Sequence, residues 1–120
     1  MPPVPRRIPD PDGLAALDRW RNGASDRPTL ATAVRWSLQH LAEEAPGATV
    51  EVRVPPFGVA QCVAGLQHRR GTPPNVVETD AATWLGLVVG ELTWGEAVTS
   101  GRVHASGQRA DLAHVLPLHD

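Results

Sequence analysis

The sequence predicts an α+β fold, in which helices cover one face of a mainly antiparallel sheet. Apolar residues recur every three or four positions before residue 46 and again after residue 80, which is the spacing of amphipathic helices. Between these segments Val50, Val52 and Val54 alternate with Glu51 and Arg53, as in a strand with one buried face. Because we expect hairpins to join consecutive strands, so that each strand pairs with the next, this order favours α+β architecture over a doubly wound parallel sheet.

The composition indicates one globular domain without extreme charge. The chain has 120 residues and a net charge of −2 with neutral histidines, which favours neither nucleic acid nor an anionic membrane as a partner. No apolar run reaches the roughly 18 residues of a membrane helix, and MPPVPRRIPDPDG lacks the apolar core of a signal peptide. The single cysteine excludes an internal disulfide. We therefore expect a cytoplasmic protein that does not insert stably into a membrane.

The N-terminal segment 1–9 is rich in proline, and we expect it to be a flexible tail. It precedes a single domain at 10–120. The first helix of this domain has Asp10 as its expected cap, Pro11 at its first position and Gly23 at its end.

A second, longer helix is predicted from SDRPTLATAVRWSLQHLAEEAPG. Ser25 or Asp26 can cap its start, and Pro46-Gly47 ends it because proline cannot continue a helix. The strand TVEVRV follows, and the turn PPFG leads to a partner strand from Val59 to Val63. A third strand is predicted from NVVET.

Two short helices that glycine interrupts are predicted in the C-terminal half. Asp80 or the threonine before it caps the first, and Gly90 ends it. Thr93 and Glu96 have the spacing of a capping box, which predicts the second. Residues 102–106 alternate as a fourth strand, and RADLAHVLPL is either a last short helix or an irregular segment.

The sequence shows no motif for catalysis, metal binding or cofactor binding. The histidines and the cysteine form neither an H-E-x-x-H motif nor a cysteine pair. Ser100 and Ser106 lie outside a G-x-S-x-G elbow, and the capping box accounts for Glu96. His104 has the most polar neighbours of the histidines and is expected on the solvent side of its strand. We therefore expect no catalytic residue, no metal and no cofactor.

Apolar residues are dense in the stretch WLGLVVGELTW. Core packing accounts for most of them. Short helices interrupted by glycine can also close poorly over a sheet and leave an apolar cavity. The stretch is therefore a candidate both for the core and for a ligand site.

The segment VVETDAATWLGLVVGELTWGEAVTSGRVHASG resembles the C-terminal half of the sterol carrier protein 2 (SCP2) family. The matching features are an acidic residue that opens a helix, an apolar stretch that ends in glycine, a short helix, and a small strand. In this chain they are Asp80, the stretch from Leu85 to Gly90, Ala97 with Gly101, and the strand from Arg102 to Gly107.

The similarity extends over about residues 25–118 and is greatest to bacterial, largely actinobacterial, SCP orthologs. It implies an SCP2-like fold with a five-stranded, mainly antiparallel sheet and helices on one face. Because only four strands are visible in the pattern, the fifth would lie near Gln67 to Gly71. The resemblance also implies a non-catalytic protein for lipid binding and lipid transfer, with a fatty acyl chain, acyl-CoA or other lipid held between sheet and helices.

From this resemblance and the apolar pattern we expect a defined set of residues to face the ligand: Phe57, Leu85, Val88, Val89, Trp94, Val98 and Val103. Two alternatives stay open. One is a ligand-free interaction module with a filled core, which would act through a protein partner or as a homodimer. The other is an accessory subunit of a thiol-dependent, mycothiol-type isomerase system that uses His104.

Overall fold

Helices and strands follow one another in the order α–α–β–β–β–α–α–β in a computed structural model, which describes residues 7–65 and 75–119. The elements are α1 (Asp10–Arg21), α2 (Arg27–Glu44), β1 (Val50–Val54), β2 (Gly58–Cys62), β3 (Asn75–Thr79), α3 (Ala81–Val89), α4 (Trp94–Thr99) and β4 (Val103–Ser106). The α+β class is therefore confirmed. The described residues form four strands rather than five, and the place expected for the fifth, near Gln67 to Gly71, lies outside them.

The sheet is mixed, with strand order β2-β1-β3-β4. β1 pairs antiparallel with β2 and parallel with β3, and β3 pairs antiparallel with β4. The expectation that each strand pairs with the next was therefore wrong for β2 and β3. The reason is burial: β1 and β3 each bury three alternate residues and take the centre, whereas the more exposed β2 and β4 take the edges.

Helices cover one face of this sheet. The side chains of Val50, Val52 and Val54 on β1 and of Val77 on β3 are buried in one core with residues of all four helices. The opposite face carries mostly polar side chains, with Val59 and Val76 among them, and is called here the open face. This arrangement separates a packed interior from a polar sheet surface, as the alternation of residues in β1 predicts.

Local capping signals fix the starts of three helices. The side chains of Asp26, Asp80 and Thr93 each accept a hydrogen bond from the backbone N–H three residues further on. Glu96 bonds back to the N–H of Thr93, which completes the expected capping box. These caps agree with the sequence prediction.

The start of α1 differs from the expectation. Pro9 is the N-cap residue and Asp10 is already helical, because the Asp10 carboxylate accepts a hydrogen bond from Trp36 Nε1 at 3.0 Å instead of capping its own helix. Gly13 allows α1 to lie directly on α2, since a Cβ at this position would be 2.0 Å from Trp36 Cγ. The His40 ring stacks on Trp36, with ring centroids 5.2 Å apart.

The end of β2 is tied to the connection between α2 and β1. Val63 has a φ of 67°, an outlier for a β-branched residue. Its N–H donates to the carbonyl of Ala45, and its carbonyl accepts from the N–H of Thr49. Gly47 lies so close that a Cβ there would be 2.2 Å from the Val63 carbonyl oxygen. The chain therefore accepts an unusual backbone conformation at one residue to join three elements.

The C-terminal segment is irregular, which is the second of the two predicted alternatives for RADLAHVLPL. Leu112 is fully buried in the core. The N–H groups of Leu118 and His119 both bond to the carbonyl of Val88, near the end of α3. The segment thus satisfies a backbone acceptor that the helix end would leave free.

Candidate functional site

A groove of about 780 Å³ lies between α2 and the edge strand β2. We call it the α2–β2 groove. Its strand side is formed by residues 57–61, and Ile8 also lines it. Its helix side is formed by residues spaced three or four apart on one face of α2, namely Thr32, Arg35, Leu38, Gln39 and Ala42.

Much of the groove wall is apolar. Leu38 is buried at its base, and Gly58 approaches so closely that a Cβ there would be 3.1 Å from Leu38 Cδ1. The groove is reachable from solvent because β2 is an edge strand of the described sheet. Val59 is 60% exposed and pairs with Arg53, so its side chain lies at the rim of the groove, on the open face of the sheet.

Two arginines converge on Phe57 at the groove. Arg35 Nε donates a hydrogen bond to the Phe57 carbonyl at 2.8 Å, and the Arg27 guanidinium lies 5.9 Å from the centre of the Phe57 ring. In the part of the chain that the structure describes, neither arginine forms an ion pair with an acidic residue. A guanidinium has five N–H donors, so Arg35 keeps donors for an anion while it holds Phe57.

The last residues of the N-terminal segment border the groove. The N–H of Ile8 donates to Gln39 Oε1 at 3.0 Å, and Gln39 Nε2 donates to the Ile8 carbonyl at 2.9 Å. Arg7 pairs with Glu43 at 2.6 Å on the surface. Arg7 and Ile8, expected in a flexible tail, are therefore bound to α2. The sequence does not reveal this contact, because the Gln39 side chain bonds to the backbone N–H and carbonyl of Ile8 and not to a side chain.

Of the residues predicted to contact a ligand, Phe57 lines the groove. Trp94 lines a separate cavity of about 300 Å³, next to Leu116 and Pro117. The others lie in the core, on α4 or on β4, so the structure does not bring the set together. Leu85, Val88 and Val89 are core residues of α3, Val103 is buried in β4, and Val98 is 42% exposed. A role in ligand binding stays a prediction for all of them.

Sequence reasoning missed the helix side of the groove. Thr32, Arg35 and Gln39 are polar residues of α2, and nothing in the sequence pattern of this helix marks them as part of a site. A signal was present in Gly58, since glycine in a strand often marks a place where a ligand or another chain segment approaches closely. The position of β2 at the sheet edge could not be derived without the strand order.

His104 lies on the open face of the sheet. It is exposed and stands opposite Glu78 on β3, which in turn stands opposite Arg53 on β1. Arg53 pairs with Glu51 of its own strand. Within residues 7–65 and 75–119, no three His, Cys, Asp or Glu side chains are grouped so as to hold a metal ion.

Cys62 is a poor nucleophile in this fold. It is buried at the end of β2, and desolvation raises the pKa of its thiol from 9.0 to about 11. The thiol is therefore protonated at neutral pH. Since thiol chemistry requires the thiolate, Cys62 is a packing residue.

Comparison with known proteins identifies the family. A family model described as "Bacterial SCP ortholog" matches residues 26–118, which include α2, the four described strands, α3 and α4. A comparison with curated proteins gives no match. None of the helices that the structure describes is both long and apolar enough to cross a membrane. Because the family match covers well over half of the chain, the protein belongs to the bacterial SCP ortholog family.

Proposed function

We propose that this protein is a non-catalytic carrier that binds an acyl lipid in the α2–β2 groove. Membership of an SCP family supports lipid binding at a coarse level. The observation that carries the finer proposal is the groove of about 780 Å³, which is within the roughly 300–1,000 Å³ of typical small-molecule sites. The groove lies between a helix and the edge of the sheet, where apolar surface stays accessible to solvent.

The apolar part of the ligand would lie against Leu38, Ala42, Phe57 and Ala60. Burial of a chain contributes at most about 0.8 kcal/mol per methylene. Association costs of at least about 4 kcal/mol oppose this gain. A chain of ordinary length therefore binds with micromolar affinity, which suits a carrier that must also release its ligand.

The headgroup of the ligand would lie at the two arginines. Arg35 and Arg27 beside Phe57 offer N–H donors and positive charge to a carboxylate or phosphate. Gln39 and Gln61 line the same groove and are uncharged. This distribution favours an anionic acyl lipid, such as a fatty acid or acyl-CoA, over a neutral sterol.

The first test is native mass spectrometry of gently purified protein, combined with extraction of the bound lipid. The proposal predicts an adduct that solvent releases and that is identified as an acyl lipid. Added palmitate should restore the adduct after delipidation. A protein that stays at its apo mass after palmitate or acyl-CoA is added would refute the proposal.

A matched pair of variants then locates the site. Ala60 on β2 and Ala105 on β4 occupy the same row of the sheet at opposite edges, since Val52 pairs with Ala60 and Val77 pairs with Ala105. Ala60→Trp fills the groove and should weaken palmitate binding by about tenfold or more, equivalent to ~1.4 kcal/mol. Ala105→Trp adds the same side chain away from the groove and should leave the affinity within about twofold. Equal effects of the two variants would exclude the groove as the site.

A second candidate function is favoured by the filled interior. Leu85 and Val88, which the sequence places near a ligand, are fully buried with Trp84 in a packed core. A ligand-free interaction module would have such a core, and Val59 would then be a contact for a partner. Sedimentation velocity across a concentration series, with Val59→Glu as the variant, tests for self-association through this edge.

A further inference from the structure

A second cavity adjoins the α2–β2 groove at Ile8. It has a volume of about 470 Å³ and lies along α1, where Asp12, Ala15 and Arg19 line it. Ile8 and Thr32 line both cavities. These two residues therefore lie at the boundary between the two spaces.

Ile8 is held firmly at this boundary. The amide of Gln39 makes hydrogen bonds to both its N–H and its carbonyl, at 3.0 and 2.9 Å. The next residue, Pro9, has its φ restricted by its ring and is the N-cap of α1. Because Gln39 and Pro9 both restrain the backbone here, the half-buried Ile8 side chain has a defined position.

We propose that Ile8 is a specificity-determining residue that limits the length of the acyl chain bound in the α2–β2 groove. The inference rests on the proposed function of that groove. A chain that fills the groove meets the Ile8 side chain, and further methylenes can bury themselves only by entering the second cavity. Ala15 and the aliphatic stems of Arg7 and Arg19 would contact such an extension, while the charged groups stay in solvent.

The proposal is tested with saturated fatty acids from octanoate to eicosanoate. Affinity of the unmodified protein should rise by at most about fourfold for each added methylene and then reach a plateau. Ile8→Ala removes about three carbon atoms from the boundary, so the rise should continue for a few methylenes beyond that plateau. Isothermal titration calorimetry or displacement of a fluorescent fatty acid gives the two curves.

Two further variants guard against a folding artefact. Thr32→Ala opens the same boundary from α2, introduces a residue with high helix propensity, and should shift the plateau in the same direction. Leu14→Ala truncates a partly exposed apolar residue of α1 that lines neither cavity, and should leave the plateau unchanged. Circular dichroism confirms that each variant is folded.

The outcomes separate this inference from the proposed function. If the acids bind but the plateau is the same in the unmodified protein, Ile8→Ala and Thr32→Ala, then Ile8 does not set the length and the carrier function stands. If Leu14→Ala shifts the plateau as far as Ile8→Ala, the effect is not local and the inference fails. If no fatty acid binds any of the proteins, the proposed function is wrong and this inference falls with it.

Discussion

The hydrogen bond between Trp84 and Ser37 connects α3 to α2 inside the core. Trp84 Nε1 donates to Ser37 Oγ at 2.8 Å, and Ser37 Oγ donates to the Val34 carbonyl at 2.8 Å. Both side chains are fully buried. The described residues contain no buried side-chain nitrogen or oxygen without a partner. Ser37→Ala would therefore leave the indole N–H as an unpaired donor in a core that otherwise has none.

The effect of Ser37→Ala on the free energy of unfolding follows from this geometry. A buried donor left without a partner costs about 1–3 kcal/mol. Alanine offsets up to about 0.7 kcal/mol of this through its higher helix propensity at a mid-helix position. We expect Ser37→Ala to lower the free energy of unfolding by about 1–2 kcal/mol. For a domain of this size the melting temperature falls by roughly 4 °C for each kcal/mol lost.

Urea denaturation, monitored by far-UV circular dichroism, measures the loss in free energy of unfolding. The matched control is Ser100→Ala, because the Ser100 hydroxyl also donates to a carbonyl three residues earlier, at 3.2 Å, but accepts no bond from a tryptophan. The control should change stability by less than about 0.5 kcal/mol. In a Trp84→Phe background, which has no indole donor, Ser37→Ala should lose most of its effect. An unchanged cost in that background would refute the reasoning.

Two other local contacts give predictions. Gly13→Ala places a Cβ 2.0 Å from Trp36 Cγ and should destabilise the protein by about 1–3 kcal/mol in thermal denaturation. The control Gly95→Ala, whose Cβ would have no atom within 4 Å, should be neutral or stabilising. Equal effects of the two variants would contradict the close packing of α1 on α2. The hydrogen bond from the Thr93 backbone lowers the pKa of Glu96, so this carboxylate adds stability above the ordinary pKa of glutamate and loses it as pH falls through the lowered value. Glu96→Gln keeps the capping amide but does not titrate, so urea midpoints should fall less on acidification than those of the unmodified protein; parallel curves would show that Glu96 does not contribute.

Local signals in the sequence were sufficient for most elements of the fold. Asp26, Asp80 and Thr93 act within one helical turn, so each helix start could be predicted without knowledge of the rest. The alternation at Val50–Val54 likewise fixed the buried face of β1. Strand order was not predictable in this way, because the parallel pairing of β1 with β3 joins segments about 25 residues apart and leaves no mark within either one.

The candidate site was harder to predict than the fold. The density of apolar residues around Leu85 and Val88 marked the centre of the core, where both side chains are fully buried. The groove instead combines a strand edge with the polar face of α2 and the backbone of Ile8. Phe57 was predicted because it lies in the PPFG turn, at the edge of the predicted hairpin. Gln39 could not be predicted, since its partner is a main-chain group that no side-chain pattern reveals.

The backbone conformation of Val63 bears on how far this sequence is from the most stable one for its own fold. A φ of 67° costs a β-branched residue about 1–3 kcal/mol, and the bonds to Ala45 and Thr49 hold it there. A domain has a net stability of only about 5–15 kcal/mol. The conformation of this one residue therefore lowers the free energy of unfolding by an amount that is a sizeable fraction of the total. Selection has kept the protein above the threshold for folding without bringing it to the optimum that its backbone would allow.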